Sequence, residues 1–167
     1  GDIAAVADTT RSEEKLHRLK HLIPGPLTLV LPKRMCVPPE AVAGGSTVGG
    51  RVPAHPVAQE LLRMTGFPLA APSANRSGEV SPTSAQHVLQ SLGDSVPLII
   101  DGGLCSAGIE STVLSLCGER PVILRPGSVT REVIEAALDE AVGSHGVDAI
   151  QGVPLPSPRL LHSHYAP

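Results

Sequence analysis

Apolar residues follow two alternating spacings along the chain. Leu16, Leu19 and Ile23 recur at helical intervals after Thr10-Arg11-Ser12-Glu13, a quartet with the form of a capping box, which predicts a helix over residues 10–22. Pro24-Gly25-Pro26 ends it. Leu27-Thr28-Leu29-Val30-Leu31 is short, apolar and partly β-branched, so it reads as a buried strand closed by Pro32, and a second strand is expected over residues 47–52. Pro56 suits the first position of a helix whose Val57, Leu61, Leu62 and Met64 lead to a stop at Gly66, with His55 as its cap. Residues 68–71 and 97–101 each predict a strand, and between them Ser81-Pro82 opens a helix through Ala85, Val88, Leu89 and Leu92 to Gly93. Residues 111–116 and 121–124 read as a strand and its hairpin partner, and Thr130 caps a last helix through Val133, Ile134, Ala137, Leu138 and Val142, stopped by Gly143. Residues 146–167 carry Pro154, Pro156, Pro158 and Pro167 without a sustained period, as an extended linker would.

Strands and helices thus alternate for most of the length, which predicts an α/β fold of one sheet packed by helices. At 167 residues the chain suits a single core. Seventeen glycines and seventeen prolines give about a fifth of the residues to backbone punctuation against a usual ~12%, so loops carry much of the architecture. Lys and Arg number 13 against 16 Asp and Glu, a net charge of -3, and the aromatics are Phe67 and Tyr165. That balance supplies neither the polyelectrolyte attraction nor the stacking platform of an autonomous nucleic-acid binder. Cys36, Cys105 and Cys117 are odd in number and lack CxxC spacing, which points to a reducing cytoplasm, and no apolar run is long enough to span a bilayer.

Signatures of P-loop, dinucleotide, zinc-protease and nucleophile-elbow chemistry are absent from the sequence. Nothing assembles a metal site. Ser12-Glu13-Glu14-Lys15 matches SxxK but lies at a helix start, where a solvated face explains it better. Small polar residues instead recur near predicted strand ends, at Thr47, at Ser73 with Asn75, and at Ser111 with Thr112, where α/β sheets tend to bind ligands. For any one of these clusters taken singly, turn chemistry is the favoured explanation. The Gly-rich segment 101–112 offers backbone N–H groups to an anion, and Arg51 and Arg125 each follow a strand-like run, where a guanidinium can grip a carboxylate or phosphate.

Five segments in this order, Pro24-Gly25-Pro26-Leu27-Thr28-Leu29-Val30-Leu31, Arg51-Val52-Pro53-Ala54-His55-Pro56, Ala71-Pro72-Ser73-Ala74-Asn75-Arg76-Ser77-Gly78, Glu110-Ser111-Thr112-Val113 and Leu124-Arg125-Pro126-Gly127, resemble the threonylcarbamoyl-AMP synthase family with its YrdC-type domain. The resemblance runs from about Leu22 onward. It implies a twisted mixed sheet flanked by helices, with residues 1–145 a partial catalytic domain and 146–167 the linker of longer members towards a further domain. It also implies a reaction in which L-threonine, bicarbonate and ATP give threonylcarbamoyl-AMP and pyrophosphate, for use by tRNA-modification machinery, with Mg²⁺ on the triphosphate and a possible tRNA contact. By resemblance Thr47, Ser73, Asn75, Ser81 and Arg125 would contact ATP. Arg51, the backbone at Ala71, and Ser111 would hold threonine. His164 and Tyr165 would fold the linker over the nucleotide. No side chain stands out as a catalytic base.

The sequence departs from the family at two places. The Pro-Thr-Glu-Thr-Val-Tyr-Gly-Leu-like first strand and the Lys-x-Arg element that serves the triphosphate do not occur in these residues, so the domain is expected to be incomplete at its N-terminal side and this chain inactive by itself. Arg159, Leu160, Leu161, His162 and Ser163 replace the usual linker stretch. The rival readings are the carbamoyl-adenylate-forming domain of a hydrogenase-maturation carbamoyltransferase, which the His-Tyr-Ala-Pro ending disfavours, and a tRNA-binding module without catalysis, which the charge disfavours.

Overall fold

In the computed structural model, residues 2–144 are described. They form two compact units, one comprising the residues up to Pro68 together with those from Ile109 onward, the other Leu69–Gly108.

The first unit is built on a mixed sheet of five strands, β1 (Leu27–Pro32), β2 (Thr47–Gly50), β3 (Thr112–Ser115), β4 (Val122–Arg125) and β5 (Gly143–Ser144), in the order β2-β1-β3-β4-β5. The first strand is antiparallel to β2 and parallel to β3, while β4 is antiparallel to β3 and parallel to β5. The two-residue period of β1 explains its sequence. Leu27, Leu29 and Leu31 enter the main core with Leu114 and Ile123, whereas Val30 joins a smaller cluster with Val113 and Leu124 on the opposite face. A strand buried on both faces needs apolar residues at nearly every position.

Helices α1 (Glu13–Leu19) and α4 (Arg131–Leu138) contact one another and send Leu19, Ile134 and Leu138 into the main core. Each such side chain contributes about 1.5–3 kcal/mol when fully buried. Arg18 also donates to the Leu138 carbonyl at 2.7 Å, near the end of α4, where the helix dipole favours a cation. Thr130 caps α4 as expected, accepting from the Val133 N–H at 3.5 Å, but the helix stops at Leu138, with Asp139 left-handed, and residues 143–144 become β5 instead of a helix stop. The expected capping box of the first helix does not form. Thr10 turns its hydroxyl to Asp8, and buried Ser12 donates to the Leu116 carbonyl at 3.4 Å, because pairing with the sheet outweighs the local cap.

Helix α2 (Pro56–Thr65) starts at Pro56 and ends on left-handed Gly66 as expected, though His55 makes no side-chain cap. In the second unit the helix is α3 (Ala85–Leu92), capped by Ser84 through the His87 N–H at 3.2 Å rather than beginning at Ser81-Pro82. Two expected strands are corrected here. Residues 68–71 and 97–101 adopt no strand, and Leu69, Leu98 and Ile100 are exposed. An apolar run becomes a strand only where another backbone edge accepts its hydrogen bonds, and local sequence cannot supply that edge.

Candidate functional site

Register puts three of the candidate residues of the first unit at one end of its sheet. Leu29 pairs with Gly50, so Arg51 follows the last residue of β2 beside the beginning of β1. Leu27 pairs with Thr112, which brings Ser111, just before β3, to the same end. The antiparallel pairing of Val113 with Arg125 delivers the last residue of β4 there too. Thr47 pairs with Pro32 at the other end of β2. Four residue steps along the strand separate it from Arg51, about 13 Å at ~3.3 Å per step. The sheet therefore gathers Arg51, Ser111 and Arg125, and does not bring Thr47 among them.

Ser111 and Arg125 are bonded directly. The Arg125 guanidinium donates to the Ser111 carbonyl from Nε at 3.2 Å and from one terminal nitrogen at 2.7 Å, and that nitrogen also reaches the Ser111 hydroxyl at 3.1 Å. Its other terminal nitrogen pairs with the Glu110 carboxylate, both side chains being only about one-fifth exposed. Four of its contacts are thus internal, and Arg125 serves as architecture as well as a candidate ligand. On the far side, the Ser111 hydroxyl lies 2.8 Å from the hydroxyl of Thr28 on β1. Arg51, by contrast, is exposed and makes no hydrogen bond or ion pair among the described residues.

Two further contacts fix this end of the sheet. Fully buried Thr112 donates to the Val129 carbonyl at 2.6 Å and accepts from the Val129 N–H at 3.0 Å, locking the segment after β4 onto β3. Between them passes Gly127, whose missing Cβ would lie 2.3 Å from the Glu110 carbonyl oxygen and 2.4 Å from the Thr112 nitrogen. Only glycine permits that approach. The Ser128 hydroxyl next to it is buried without a hydrogen-bond partner.

In the second unit, the Asn75 side-chain amide donates to the carbonyls of Arg76 and Glu79, both at 2.9 Å, while its oxygen is buried without a partner. The Arg76 N–H donates to the Ser91 hydroxyl at 2.9 Å, and Ser91 in turn donates to Glu79, so the turn is tied to α3. Asn75 and Ser81 line a cavity of about 400 Å³ together with Glu79, Thr83 and His87. Ser73 is half-buried, does not line that cavity, and makes no hydrogen bond among the described residues; Ala71 is exposed. Asp101 accepts from the Gly103 N–H at 2.8 Å, so part of the Gly-rich segment is an Asx turn, with left-handed glycines at 103 and 108.

His164 and Tyr165, and the whole of 146–167, lie outside the described residues. Among the described residues no group of three or more His, Cys, Asp or Glu side chains is placed to hold a metal ion, and no helix is long and apolar enough to cross a membrane. Burial pushes the Cys117 thiol above its ordinary pKa, with the Ser115 hydroxyl opposing that shift, while the hydroxyl and backbone of Thr10 lower the Asp8 carboxyl. Neither group touches the site. Sequence reading passed over Thr28 and Glu110 as site residues. Thr28 sits inside an apolar strand and Glu110 beside the more evident Ser111-Thr112, and only β1–β3 pairing and the folded position of Arg125 bring out their contacts.

Comparison with known proteins adds a family to this geometry. The family model Sua5_yciO_yrdC, described as telomere recombination, matches residues 1–127. The similarity thus begins at residue 1 rather than near Leu22. Over 169 aligned residues the chain is 43% identical to the threonylcarbamoyl-AMP synthase of Bacillus subtilis, covering 99% of this chain and 49% of that protein. The Pyrococcus abyssi threonylcarbamoyl-AMP synthase is 44% identical over 160 residues, covering 93% and 46%. Among solved structures, P. abyssi Sua5 complexed with L-threonine superposes with a TM-score of 0.80 at 42% identity over 92% of this chain and 46% of that one. Escherichia coli YciO gives 0.60 at 31% identity, covering 67% and 55%. The chain spans about half the length of the curated relatives it matches.

Proposed function

Because the chain belongs to the Sua5/YciO/YrdC family, we propose that it is part of a threonylcarbamoyl-AMP synthase, an enzyme joining L-threonine, bicarbonate and ATP into threonylcarbamoyl-AMP and pyrophosphate. The threonine amine adds to bicarbonate with loss of water, and an oxygen of the resulting carbamate attacks the α-phosphorus as pyrophosphate leaves. Arg51, exposed and without a side-chain partner among the described residues, supplies a fixed positive charge for the threonine carboxylate. Ser111 offers its hydroxyl to the same amino acid. By the family resemblance Arg125 and Thr47 of the first unit, and Ser73, Asn75 and Ser81 of the second, are each assigned to the nucleotide, and the backbone at Ala71 to threonine. His164 and Tyr165, outside the described residues, are assigned to the nucleotide by that resemblance alone. Magnesium enters as part of the ATP substrate, carried by its phosphates.

The observation that carries this reading is the direct contact of Ser111 with Arg125. A residue assigned to threonine touches one assigned to ATP, as the junction of two reacting substrates requires. Catalysis then rests on positioning and on neutralising phosphate charge. The decisive test is titration of the native protein with L-threonine and with ATP, alongside pyrophosphate release that depends on both threonine and bicarbonate. Binding of both with dependent release supports the reading; absence of threonine binding overturns it.

The mixed anhydride formed is a carbamoyl donor, so a transferase acting on tRNA must consume it. The setting is cytoplasmic, in keeping with unpaired Cys36, Cys105 and Cys117. A direct contact with tRNA is expected to weaken steeply as salt rises, and salt-insensitive binding would contradict it.

A further inference from the structure

We propose that Thr28 is a positioning residue for the amino-acid substrate, acting through Ser111; the inference rests on the threonine-binding reading above. A serine hydroxyl has three hydrogen-bonding valences, one donor and two acceptors. The Arg125 guanidinium can only donate, so its contact at 3.1 Å takes one acceptor position. Thr28, at 2.8 Å, takes a second valence whichever hydroxyl gives the proton. A single valence is left, on a residue only 8% exposed. Thr28 and Arg125 together decide where that last valence points.

Placement makes Thr28 the natural holder. Its neighbours Leu27 and Leu29 face the main core, so the alternation of β1 turns residue 28 to the opposite face, with Val30 and Val113. Thr28 is paired with Val113 on β3, two residues past Ser111. On its other side, extending the Leu29–Gly50 register by one residue sets it opposite Arg51. Strand β1 thus carries one hydroxyl between Arg51 and Ser111, two of the residues assigned to threonine. Its rigid setting, with a β-branched χ1, fixes the Ser111 rotor without adding charge.

Thr28→Val keeps the shape and removes the hydroxyl, and Thr28→Ser restores the hydroxyl. In the native protein, Thr28→Val is expected to weaken L-threonine binding about tenfold, the scale of one well-placed hydrogen bond. ATP affinity and melting temperature should stay close to the unmodified protein's, and Thr28→Ser should recover threonine affinity. In a Ser111→Ala background Thr28→Val should have no further effect, because its route is then gone. Unchanged threonine affinity in Thr28→Val overturns the proposal while leaving the function intact. Equal loss of both ligands together with a lowered melting temperature reduces Thr28 to a structural tie and overturns it too. Should Thr28→Val fail to fold, Thr28→Ala, which also removes the hydroxyl, is measured against its own Ser111→Ala double variant, where full additivity in threonine affinity overturns the proposal and non-additivity supports it. Failure of the unmodified protein to bind threonine overturns the functional reading first, and this inference with it.

Discussion

Arg51 and Arg125 carry the same charge but not the same connections. Arg51 is exposed and without a partner among the described residues, whereas Arg125 is bonded to Glu110 and to the backbone and hydroxyl of Ser111. In the native protein Arg51→Ala should weaken threonine binding by about 1.5–3 kcal/mol, the range for a charge-assisted hydrogen bond, with little change in melting temperature. Arg125→Ala should weaken ATP binding and also lower the melting temperature, since it leaves Glu110 partly buried without its cation. Calorimetry and thermal melts on the two variants check both expectations, and equal effects of each on both ligands would contradict the assignment. Gly127→Ala tests the close approach behind β4. A Cβ there meets backbone atoms at 2.3 and 2.4 Å, which no side-chain rotation relieves. The expected cost is about 3 kcal/mol or more, read as a fall of roughly 6–12 °C in melting temperature.

At the scale of elements, the turn containing Ser73 and Asn75 now divides into two roles. Asn75 holds the turn through two carbonyls, and Ser73 makes no hydrogen bond among the described residues. Asn75→Ala should therefore lower the melting temperature by several degrees, as the loss of local side-chain-to-backbone bonds costs about 0.5–2 kcal/mol. Ser73→Ala should leave stability unchanged and reduce ATP affinity alone. Thermal melts paired with ATP titrations separate these outcomes, and a destabilised Ser73→Ala with normal ATP affinity would return Ser73 to architecture. The strands teach a related lesson. The run 27–31 and the run 97–101 look alike in sequence, yet β1 pairs on both sides whereas residues 97–101 form no strand.

For the molecule as a whole, the sequence contains no counterpart of the Lys-x-Arg element that the family resemblance attaches to the triphosphate. A polypeptide of these 167 residues alone should show pyrophosphate release reduced at least a hundredfold relative to a relative that carries this element, the scale of losing one preorganised stabiliser of transition-state charge. The assay is release dependent on threonine and bicarbonate. Turnover comparable to that relative's would mean that other cations, Arg51 or Arg125 among them, meet that need.

Local sequence determined the helix stops at Gly66 and Gly93, the cap at Thr130, the strand β1 and the hairpin of β3 with β4, because each depends on backbone preference or on a period confined to a few residues. The five motifs likewise sufficed to identify the family, since motif order survives without coordinates. Tertiary structure alone decided that Arg51, Ser111 and Arg125 share one end of the sheet while Thr47 does not, for that follows from strand order and register. It also decided that Thr28 is bonded to Ser111, two hydroxyls 83 residues apart in the chain. Hydrogen-bond partners at such separations are chosen by which strands lie side by side, and that choice is made by burial of the whole sheet rather than by either segment.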